Sequence, residues 1–401
     1  MWRSDSRWWL LALCLTAGAC SSDDDDFATT DEDAPCRTVL AYIAAENSLS
    51  SAAVADVGEM LAAAPTALSS GDRLIVFLDN VLLPRIYEIN CQTTGTALSA
   101  LSPVLEFEEE LDSSSPQTLA DIILWTINNY PADSYGLILW SHASGWLPTS
   151  SATASAPRRT FAIDNGLNTT SNTGTEMTID SLALAVTPYQ WEFILFDACF
   201  MQSMEVASWL YTCTDFLIAS PAEIPYDGAP YTDILADLFA RDFDPQPVVE
   251  HYVEAYATKG GCLLSAIDCS RFEDFATATA QLVNAHADEL CSADLSGVLN
   301  YFDYDSYASK LAIPDCYDLK GLLLQVASSE EMAEWTEAQE QTMESGYSAT
   351  WYSAYPATYL PVDEEQYSGL TMFVPLEKYT QRHAEFITAY QQTPWASLLT
   401  W

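Results

Sequence analysis

The chain has 401 residues, with 57 Asp and Glu against only 14 Lys and Arg, so its formal net charge is −43. This charge excludes a nucleic-acid binder, which needs a basic face to neutralise phosphates, and it opposes binding to an anionic membrane surface. An apolar content of 49% is too high for a disordered acidic chain, so we predict a folded protein whose negative field favours basic peptides, Lys or Arg side chains, or divalent metals.

The N-terminus predicts an export signal. Two Arg precede an apolar run, Trp8–Ala17, which is too short to span the roughly 30 Å core of a bilayer. Small residues then precede Cys20, a pattern typical of the lipidated first residue of a bacterial lipoprotein. We predict a signal peptide over residues 1–19 and an acidic tether over 20–35. The run Asp23–Asp26 is a solvated linker that also favours an outer-membrane lipoprotein displayed on the cell surface. For the N-terminal segment, a simply secreted protein and a buried apolar helix are the alternatives.

Strand and helix patterns alternate after the tether. Short apolar runs predict five central strands and one hairpin arm, at residues 38–44, 73–78, 135–140, 191–196, 216–219 and, for the arm, 85–89. Helical spacing covers residues 52–64, where Pro65 is expected to end the helix, and residues 119–128. Continuous apolar strands separated by helices predict an α/β fold with a mostly parallel sheet covered on both faces.

The chain changes character beyond residue 245. Helical patterns occupy residues 247–258, 271–290, 318–345 and 376–392, and residues 367–374 have a strand pattern. We therefore predict a catalytic domain over residues 36–245 and a C-terminal α/β extension over 246–401. The extension is expected to form either a second lobe or a continuation of the same sheet.

Eight cysteines remain after the signal peptide and its lipidated residue are set aside. An exported protein can keep disulfides, but their connectivity cannot be read from sequence. Cys262 with Cys269, and Cys291 with Cys316, are close enough along the chain to be candidate pairs.

Residues with chemical function follow three of the predicted strands. Parallel α/β sheets form their sites beyond the carboxyl ends of the strands. His142 follows the third central strand, Asp197 and Cys199 follow the fourth, and Asp227 follows the fifth. A thiol nucleophile with a histidine base is the arrangement for covalent catalysis, and we expect Cys199 at the N-terminus of a helix over residues 200–210, which would lower the pKa of its thiol. A lone Cys or His is more often structural. The prediction of a catalytic pair therefore depends on both residues lying at the same edge of the sheet.

The motifs around these residues resemble the clostripain family of cysteine endopeptidases, which belongs with caspases and gingipains. The resemblance is carried by His142-Ala-Ser-Gly-Trp within TLADIILWTINNYPADSYGLILWSHASGW, by Asp197-Ala-Cys199 within FDACFMQSMEVA, and by TVLAYIAAENSL, IASPAEIPYDGAPY and GLTMFVP. These segments extend from about residue 37 to the C-terminus. The resemblance implies a caspase-like fold and cleavage of peptides or proteins after Arg or Lys.

The resemblance also implies a role for each matching residue. Cys199 would be the nucleophile and His142 the general acid and base. The backbone N–H groups of Ala143 and Cys199 would form the oxyanion hole, although the family usually has Gly where Ala143 stands. Asp197 and Asp227 would line the S1 pocket, where carboxylates bind a Lys or Arg side chain by charge-assisted hydrogen bonds.

Processing and cofactors follow from the same resemblance. Arg158 and Arg159 lie in a Ser/Thr-rich loop where family members are cleaved during activation, so they are candidates for self-processing. The chemistry needs no cofactor, but the family's frequent calcium dependence leaves a structural or activating calcium ion open. The sequence contains no EF-hand spacing and no zinc spacing that would select a metal site.

Two other functions compete with the peptidase. A catalytically impaired surface protein could capture cationic peptide segments in the same acidic pocket, and Ala143 is the residue that favours it. A serine hydrolase using Ser141 or Ser144 is weaker, because neither serine lies in a G-x-S-x-G elbow. In each case we expect a monomer that touches the membrane only through its lipid anchor.

Overall fold

The computed structural model describes residues 36–147, 161–166, 174–307 and 313–401. The predicted signal peptide, Cys20, the tether and the Arg158–Arg159 pair lie outside the described residues. Within the described ranges, none of the helices is both long enough and apolar enough to cross a bilayer.

The six strands predicted before residue 245 begin and end within two residues of the apolar runs that predict them. Within the described residues, the strands are β1 (Arg37–Ala44), β2 (Arg73–Asp79), β3 (Arg85–Ile89), β4 (Leu105–Glu106), β5 (Ser134–Trp140), β6 (Phe161–Asp164), β7 (Thr175–Met177), β8 (Trp191–Asp197), β9 (Thr214–Ala219), β10 (Leu263–Asp268), β11 (Tyr317–Asp318), β12 (Met343–Tyr347), β13 (Thr350–Ser353), β14 (Thr358–Pro361) and β15 (Thr371–Met372).

Helices connect these strands and cover the sheet. Within the described residues, they are α1 (Ser50–Ala67), α2 (Pro116–Asn129), α3 (Ile179–Val186), α4 (Met204–Leu210), α5 (Tyr231–Leu238), α6 (Pro245–Tyr256), α7 (Cys269–Ala285), α8 (Ala287–Ser292), α9 (Tyr304–Tyr307), α10 (Leu319–Leu323), α11 (Ser329–Thr342), α12 (Glu377–Arg382) and α13 (Ala384–Tyr390). Two 3-10 turns cover Leu98–Ala100 and Trp395–Leu398.

A nine-stranded sheet organises the fold, with strand order β12-β10-β9-β8-β5-β1-β2-β3-β4. The five central strands, from β9 to β2 in that order, are parallel to one another. Strands β3 and β4 pair antiparallel at one side, and β10 and β12 pair antiparallel at the other. The predicted mostly parallel α/β sheet is confirmed. Strands from beyond residue 245 therefore continue the same sheet.

Successive side chains of a strand point to opposite faces of the sheet. Here both faces are buried, each in its own apolar core. Leu40 and Tyr42 of β1 belong to one apolar core, together with residues of α2 such as Ile122. Val39 belongs to a second core, together with residues of α1 such as Met60. Fully buried strands need apolar residues at every position, which is why these segments read as continuous runs rather than alternating ones.

Three sequence-based boundaries were wrong. The first helix does not end at Pro65: α1 continues to Ala67, and the Leu68 N–H donates to the Ala64 carbonyl at 3.1 Å. Proline removes its own hydrogen bond, but the residues that follow it can still donate. The helical pattern at 318–345 is divided into α10, α11 and the strand β12, and only Thr371–Met372 of the strand-like run 367–374 forms a strand.

The two candidate disulfides are absent, since all four cysteines are thiols. Cys262 and Cys269 flank β10. A strand of that length separates its flanking residues by roughly 20 Å at ~3.3 Å per residue, whereas a disulfide needs Cα atoms less than about 7 Å apart. Proximity along the chain was therefore a poor guide to proximity in space. Cys291 and Cys316 likewise remain thiols.

Candidate active site

The register of two central strands places His142 and Cys199 at the same edge of the sheet. Trp140 of β5 is paired directly with Asp197 of β8, and the Ser141 N–H donates to the Asp197 carbonyl at 3.4 Å. His142 and Cys199 each lie two residues beyond that pair, just past the ends of adjacent strands, and adjacent strands are about 4.8 Å apart. The sequence-predicted neighbours are thus brought together at the carboxyl end of the sheet. Cys199 is partly exposed, as a group that meets a substrate must be.

The loop after Cys199 differs from the expected helix. Helix α4 begins only at Met204, where the Ser203 side chain caps it by accepting from the Val206 N–H at 3.1 Å. The backbone between Cys199 and Met204 does not form a helix. Its Phe200 N–H donates instead to the Ala222 carbonyl at 2.9 Å. The prediction that Cys199 stands at the N-terminus of a helix is therefore wrong.

Glycine at position 145 brings the His142 loop against the Cys199 loop. Gly145 has a φ of 81°, in the left-handed region that side chains rarely adopt. A Cβ there would lie 3.0 Å from the Phe200 carbonyl oxygen. The next residue, Trp146, packs edge-on against Phe373 with ring centroids 5.2 Å apart. The C-terminal part of the chain thus supports the loop that carries the histidine.

Ser48 is a polar partner of His142 that sequence reasoning missed. Its Oγ lies 2.9 Å from Nε2 of His142. Ser48 belongs to the loop between β1 and α1, and β1 lies directly beside β5 in the sheet. A hydrogen bond to one ring nitrogen restrains the orientation of an imidazole and selects its tautomer. The only sequence signal was the position of Ser48 just beyond a central strand, at the same edge as the other two residues.

The predicted oxyanion residue Ala143 is buried at the start of the His142 loop. It lies opposite Phe161 in an isolated antiparallel bridge. This bridge connects the His142 loop to β6, at the end of the segment that contains Arg158 and Arg159. The role of the Ala143 and Cys199 N–H groups in binding an oxyanion stays a prediction.

Asp197 is the last residue of β8, and it is buried next to the sheet edge where His142 and Cys199 lie. Its Oδ2 accepts from the Ala229 N–H at 2.9 Å and from the Tyr231 hydroxyl at 2.8 Å. Its Oδ1 is equally buried but has no hydrogen-bond partner in the described part of the chain. Burial raises the pKa of Asp197 to about 6, although its two donors oppose that shift. A buried carboxylate oxygen without a donor is costly, so a cationic ligand at this position would be favoured.

A second buried carboxylate, Asp56, faces Asp197. Asp56 lies on α1 and accepts from the Trp140 indole N–H at 2.7 Å. A Cβ built on Gly228 would lie 2.4 Å from Oδ2 of Asp56 and 3.1 Å from Oδ2 of Asp197, so the two carboxylates converge on this glycine. Burial first, and then the negative charge of Asp197, raise the pKa of Asp56 to about 9.

Sequence reasoning missed Asp56, although a signal was present. Asp56 stands four residues after Ala52 and four before Met60, on the stripe of α1 that is buried. An acidic residue on the apolar face of a helix needs a partner or a function. Periodicity alone predicts the helix and does not single out this acidic residue.

Asp227 lies at the rim rather than in the pocket. It is exposed, and it precedes Gly228, whose φ of 69° and N–H bond to the Pro225 carbonyl form a tight turn. The charge of Asp227 is one of the causes that raise the pKa of Asp56. Asp56 and Asp197 are therefore buried, whereas Asp227 is exposed, and the role of Asp197 and Asp227 in an S1 pocket stays a prediction.

Another carboxylate cluster lies at the same edge of the sheet. Its members are Glu46, Asp79, Glu110 and Asp164, and one oxygen from each lies within 4.8 Å of the others. Among the residues that the structure describes, this is the group of side chains suited to hold a metal ion. Its oxygen donors match the hard cations such as calcium that the sequence analysis left open.

Comparisons with known proteins agree with the fold. Residues 41–401 match the clostripain family. An inactive zymogen C11 protease from Parabacteroides distasonis shares 25% identity with a TM-score of 0.75, over 91% of this chain and 98% of that one. A secreted C11 cysteine protease from Bacteroides thetaiotaomicron, in complex with an irreversible peptide inhibitor, shares 26% identity with a TM-score of 0.71, over 88% and 98%. A search of curated proteins gave no match. The chain belongs to the clostripain family and is a cysteine peptidase with a caspase-like α/β fold.

Proposed function

We propose that this peptidase cleaves peptide bonds after Arg or Lys, with Cys199 as nucleophile and His142 as general acid and base. The observation that carries the proposal is the buried carboxylate pair Asp56 and Asp197 beside the reactive edge, with Oδ1 of Asp197 lacking any donor in the described structure. A cationic side chain would supply that missing partner. A single residue separates Asp197 from Cys199, so a side chain bound at Asp197 would deliver the adjacent carbonyl to the thiol.

The reaction follows the general scheme of covalent acyl transfer. The Cys199 thiolate attacks the scissile carbonyl carbon, a C–S bond forms, and the carbonyl electrons move to oxygen. The N–H groups of Ala143 and Cys199 stabilise this oxyanion. When the tetrahedral intermediate collapses, the C–N bond breaks and His142 protonates the leaving amine. Water activated by His142 then hydrolyses the thioester and regenerates the thiol, so no cofactor takes part in these steps.

Two convergent carboxylates favour Arg over Lys at the S1 position. A guanidinium group presents several N–H donors in one plane and binds carboxylates in a bidentate manner, whereas an ammonium group acts as a point charge. Asp227 at the rim adds a negative charge that attracts either cation during entry. We therefore propose Arg as the preferred residue and Lys as a weaker substrate.

The test compares fluorogenic peptides that differ only in their S1 residue. We expect turnover with Arg, slower turnover with Lys and none with Asp or norleucine, and we expect Cys199→Ala to abolish it. Equal turnover of Arg and norleucine peptides would contradict the S1 proposal. Intact activity in the Cys199→Ala variant would contradict the mechanism.

The alternative of a binding protein without catalysis rests on Ala143, where the family usually has Gly. Alanine still has an N–H to donate, but its backbone has fewer accessible angles. Iodoacetamide separates the two functions, because a catalytic thiolate alkylates much faster than an ordinary thiol. Slow alkylation of Cys199, together with tight binding of an Arg peptide, would favour the binding protein.

Export and processing belong to the same proposal. The lipoprotein pattern at Cys20 and the secreted relative from Bacteroides thetaiotaomicron support an exported, lipid-anchored enzyme. The relative solved as an inactive zymogen supports activation by cleavage, for which Arg158 and Arg159 are the candidates. Incorporation of labelled palmitate that Cys20→Ala abolishes would test the anchor. A precursor that stays uncut when both arginines are replaced by Ala would test the cleavage site.

A further inference from the structure

We infer that Glu46, Asp79, Glu110 and Asp164 bind one calcium ion. This ion fixes the position of the loop after β1, and that loop in turn restrains His142. The binding site stands independently of the proposed function. Only its effect on catalysis rests on the proposed role of His142.

The first argument is the geometry of the cluster. Its four residues come from separate parts of the chain: the loop after β1, the end of β2, the loop before α2 and the end of β6. One oxygen of each lies within 4.8 Å of the others. Oxygen ligands on opposite sides of a calcium ion are about 4.6–5.2 Å apart, because each Ca–O distance is about 2.3–2.6 Å. The four oxygens therefore fit within a single calcium coordination sphere.

The second argument is that these carboxylates are buried without partners. Glu46 and Asp79 are 0% exposed. Both carboxylate oxygens of Glu46, Asp79 and Glu110 lack a hydrogen-bond donor in the described structure. Asp164 alone has donors, among them the Ser113 hydroxyl at 3.0 Å and the Gly166 N–H at 2.9 Å. Burying so many acceptors together is strongly unfavourable unless a cation joins them.

No described side chain supplies such a cation. Among the residues that the structure describes, none of the four carboxylates forms an ion pair with Lys, Arg or His. A cation from solution would supply the missing partner. An all-oxygen set without Cys or His disfavours zinc, and a buried site that displaces the water shell favours calcium over magnesium, which gives up its waters reluctantly.

The third argument connects the cluster to the reactive edge. Glu46 is two residues before Ser48, whose Oγ lies 2.9 Å from Nε2 of His142. The Asn165 side chain donates to the Glu46 carbonyl at 2.6 Å, and the Asn47 side chain donates to the Ile163 carbonyl at 3.0 Å. An ion held by Glu46 and Asp164 would therefore fix both sides of this loop. Ser48 is then a positioning residue, and the ion acts on His142 through it.

Binding is tested on the full mature chain carrying Cys199→Ala, which prevents self-cleavage. Isothermal titration with Ca²⁺ after chelator dialysis is expected to show one ion per chain, and added Ca²⁺ is expected to raise the Tm, as a ligand of the folded state does. Asp79→Asn should weaken Ca²⁺ binding by at least about 10–100-fold, whereas Glu340→Gln, an exposed acid on α11, should leave it unchanged. If Asp79→Asn does not fold, Glu110→Gln, which is only partly buried, serves as the second variant.

Three outcomes would overturn the inference: no stoichiometric Ca²⁺ binding, unchanged binding in the folded Asp79→Asn or Glu110→Gln variant, or equal affinity for Mg²⁺. The positional effect is tested by NMR of the His142 ring in the same Cys199→Ala chain. Addition of Ca²⁺ should shift the ring resonances, and Ser48→Ala should reduce that shift. An unchanged His142 spectrum would refute the positional effect. Because all these measurements use an inactive chain, they succeed or fail independently of whether the enzyme cleaves after Arg.

Discussion

Asp56 and Asp197 are far apart in sequence, yet their carboxylates converge on Gly228. A Cβ at that glycine would come within 2.4 Å of Oδ2 of Asp56 and 3.1 Å of Oδ2 of Asp197. Glycine is needed here for space as well as for its φ of 69°. Two acids held this close repel each other when both are ionised, and a bound cation relieves that repulsion.

Neutralising either buried acid should weaken recognition of Arg substrates. We expect Asp56→Asn and Asp197→Asn each to lower kcat/KM for an Arg peptide by roughly 10–150-fold, the effect of losing a hydrogen bond to a charged group worth about 1.5–3 kcal/mol. Asp227→Asn should have a smaller effect because that residue is exposed. Asp274→Asn, an exposed acid on α7, is the matched control. Steady-state kinetics measure all four, and unaltered kcat/KM in both buried variants would show that the pocket lies elsewhere.

Substrate recognition should depend on pH through the same two acids. Burial raises the pKa of Asp197 to about 6 and that of Asp56 to about 9, so near neutral pH the empty pocket is expected to hold a proton on Asp56. A bound guanidinium favours the ionised forms, so Arg binding should release protons and strengthen as pH rises through about 6. Titration of a non-cleavable Arg peptide into Cys199→Ala, in buffers of different ionisation enthalpy, measures this release. A norleucine peptide is the control, and equal proton counts for both peptides would argue against the coupling.

The free enzyme should lose stability over the same range. A carboxyl whose pKa is raised in the folded state binds its proton more tightly than in the unfolded chain, so its stabilising effect is present at low pH and lost as pH rises through the folded pKa. For Asp56 the window extends from about 4 to about 9. The Asp56→Asn chain should therefore have a higher Tm than the wild type at pH 8, and the difference should shrink towards pH 5. Thermal unfolding of both chains at each pH measures this difference in Tm. A difference that stays constant across pH would contradict the prediction.

Removing the Ser48 hydroxyl should lower kcat more than it changes KM. The Ser48→Ala variant loses the 2.9 Å contact with Nε2 of His142, so the imidazole has more orientations and a less defined tautomer. We expect kcat to fall by about tenfold, as a misaligned general acid or base would cause. Ser292→Ala on α8 is an exposed serine control. A loss confined to KM would instead place Ser48 in substrate binding.

Adding one methyl group at Gly145 should affect both stability and activity. Ala at this position must adopt a φ of 81° and place its Cβ 3.0 Å from the Phe200 carbonyl. Such left-handed strain costs about 1–3 kcal/mol. Because the strained loop begins at His142, kcat should also fall in the part of the population that remains folded. Denaturant unfolding measures the loss of stability, and steady-state kinetics measure the fall in kcat. The loss of stability should also be seen in the Cys199→Ala variant.

The sequence alone determined the central part of this architecture. Apolar runs at β1, β2, β5, β8 and β9 predicted a parallel sheet, because strands buried on both faces need apolar residues at every position. Parallel strands end at one edge, which is why the sequence alone predicts that His142 and Cys199 lie together. The local pattern failed where backbone hydrogen bonds go to distant segments. The Phe200 N–H bonds to Ala222, so α4 begins at Met204 and not directly after Cys199.

Only the tertiary structure decided which polar groups share a pocket. The pairing of Asp56 with Asp197, the contact of Ser48 with His142 and the cluster formed by Glu46 and its three partners all join elements that are distant in sequence. The periodicity of a segment indicates which of its faces is buried, but it does not indicate which other segment packs against that face. Burial then changes the chemistry of the groups that meet, since the same Asp that is a solvated charge at a turn becomes, beside another Asp in a core, an acid that retains its proton until a cation arrives.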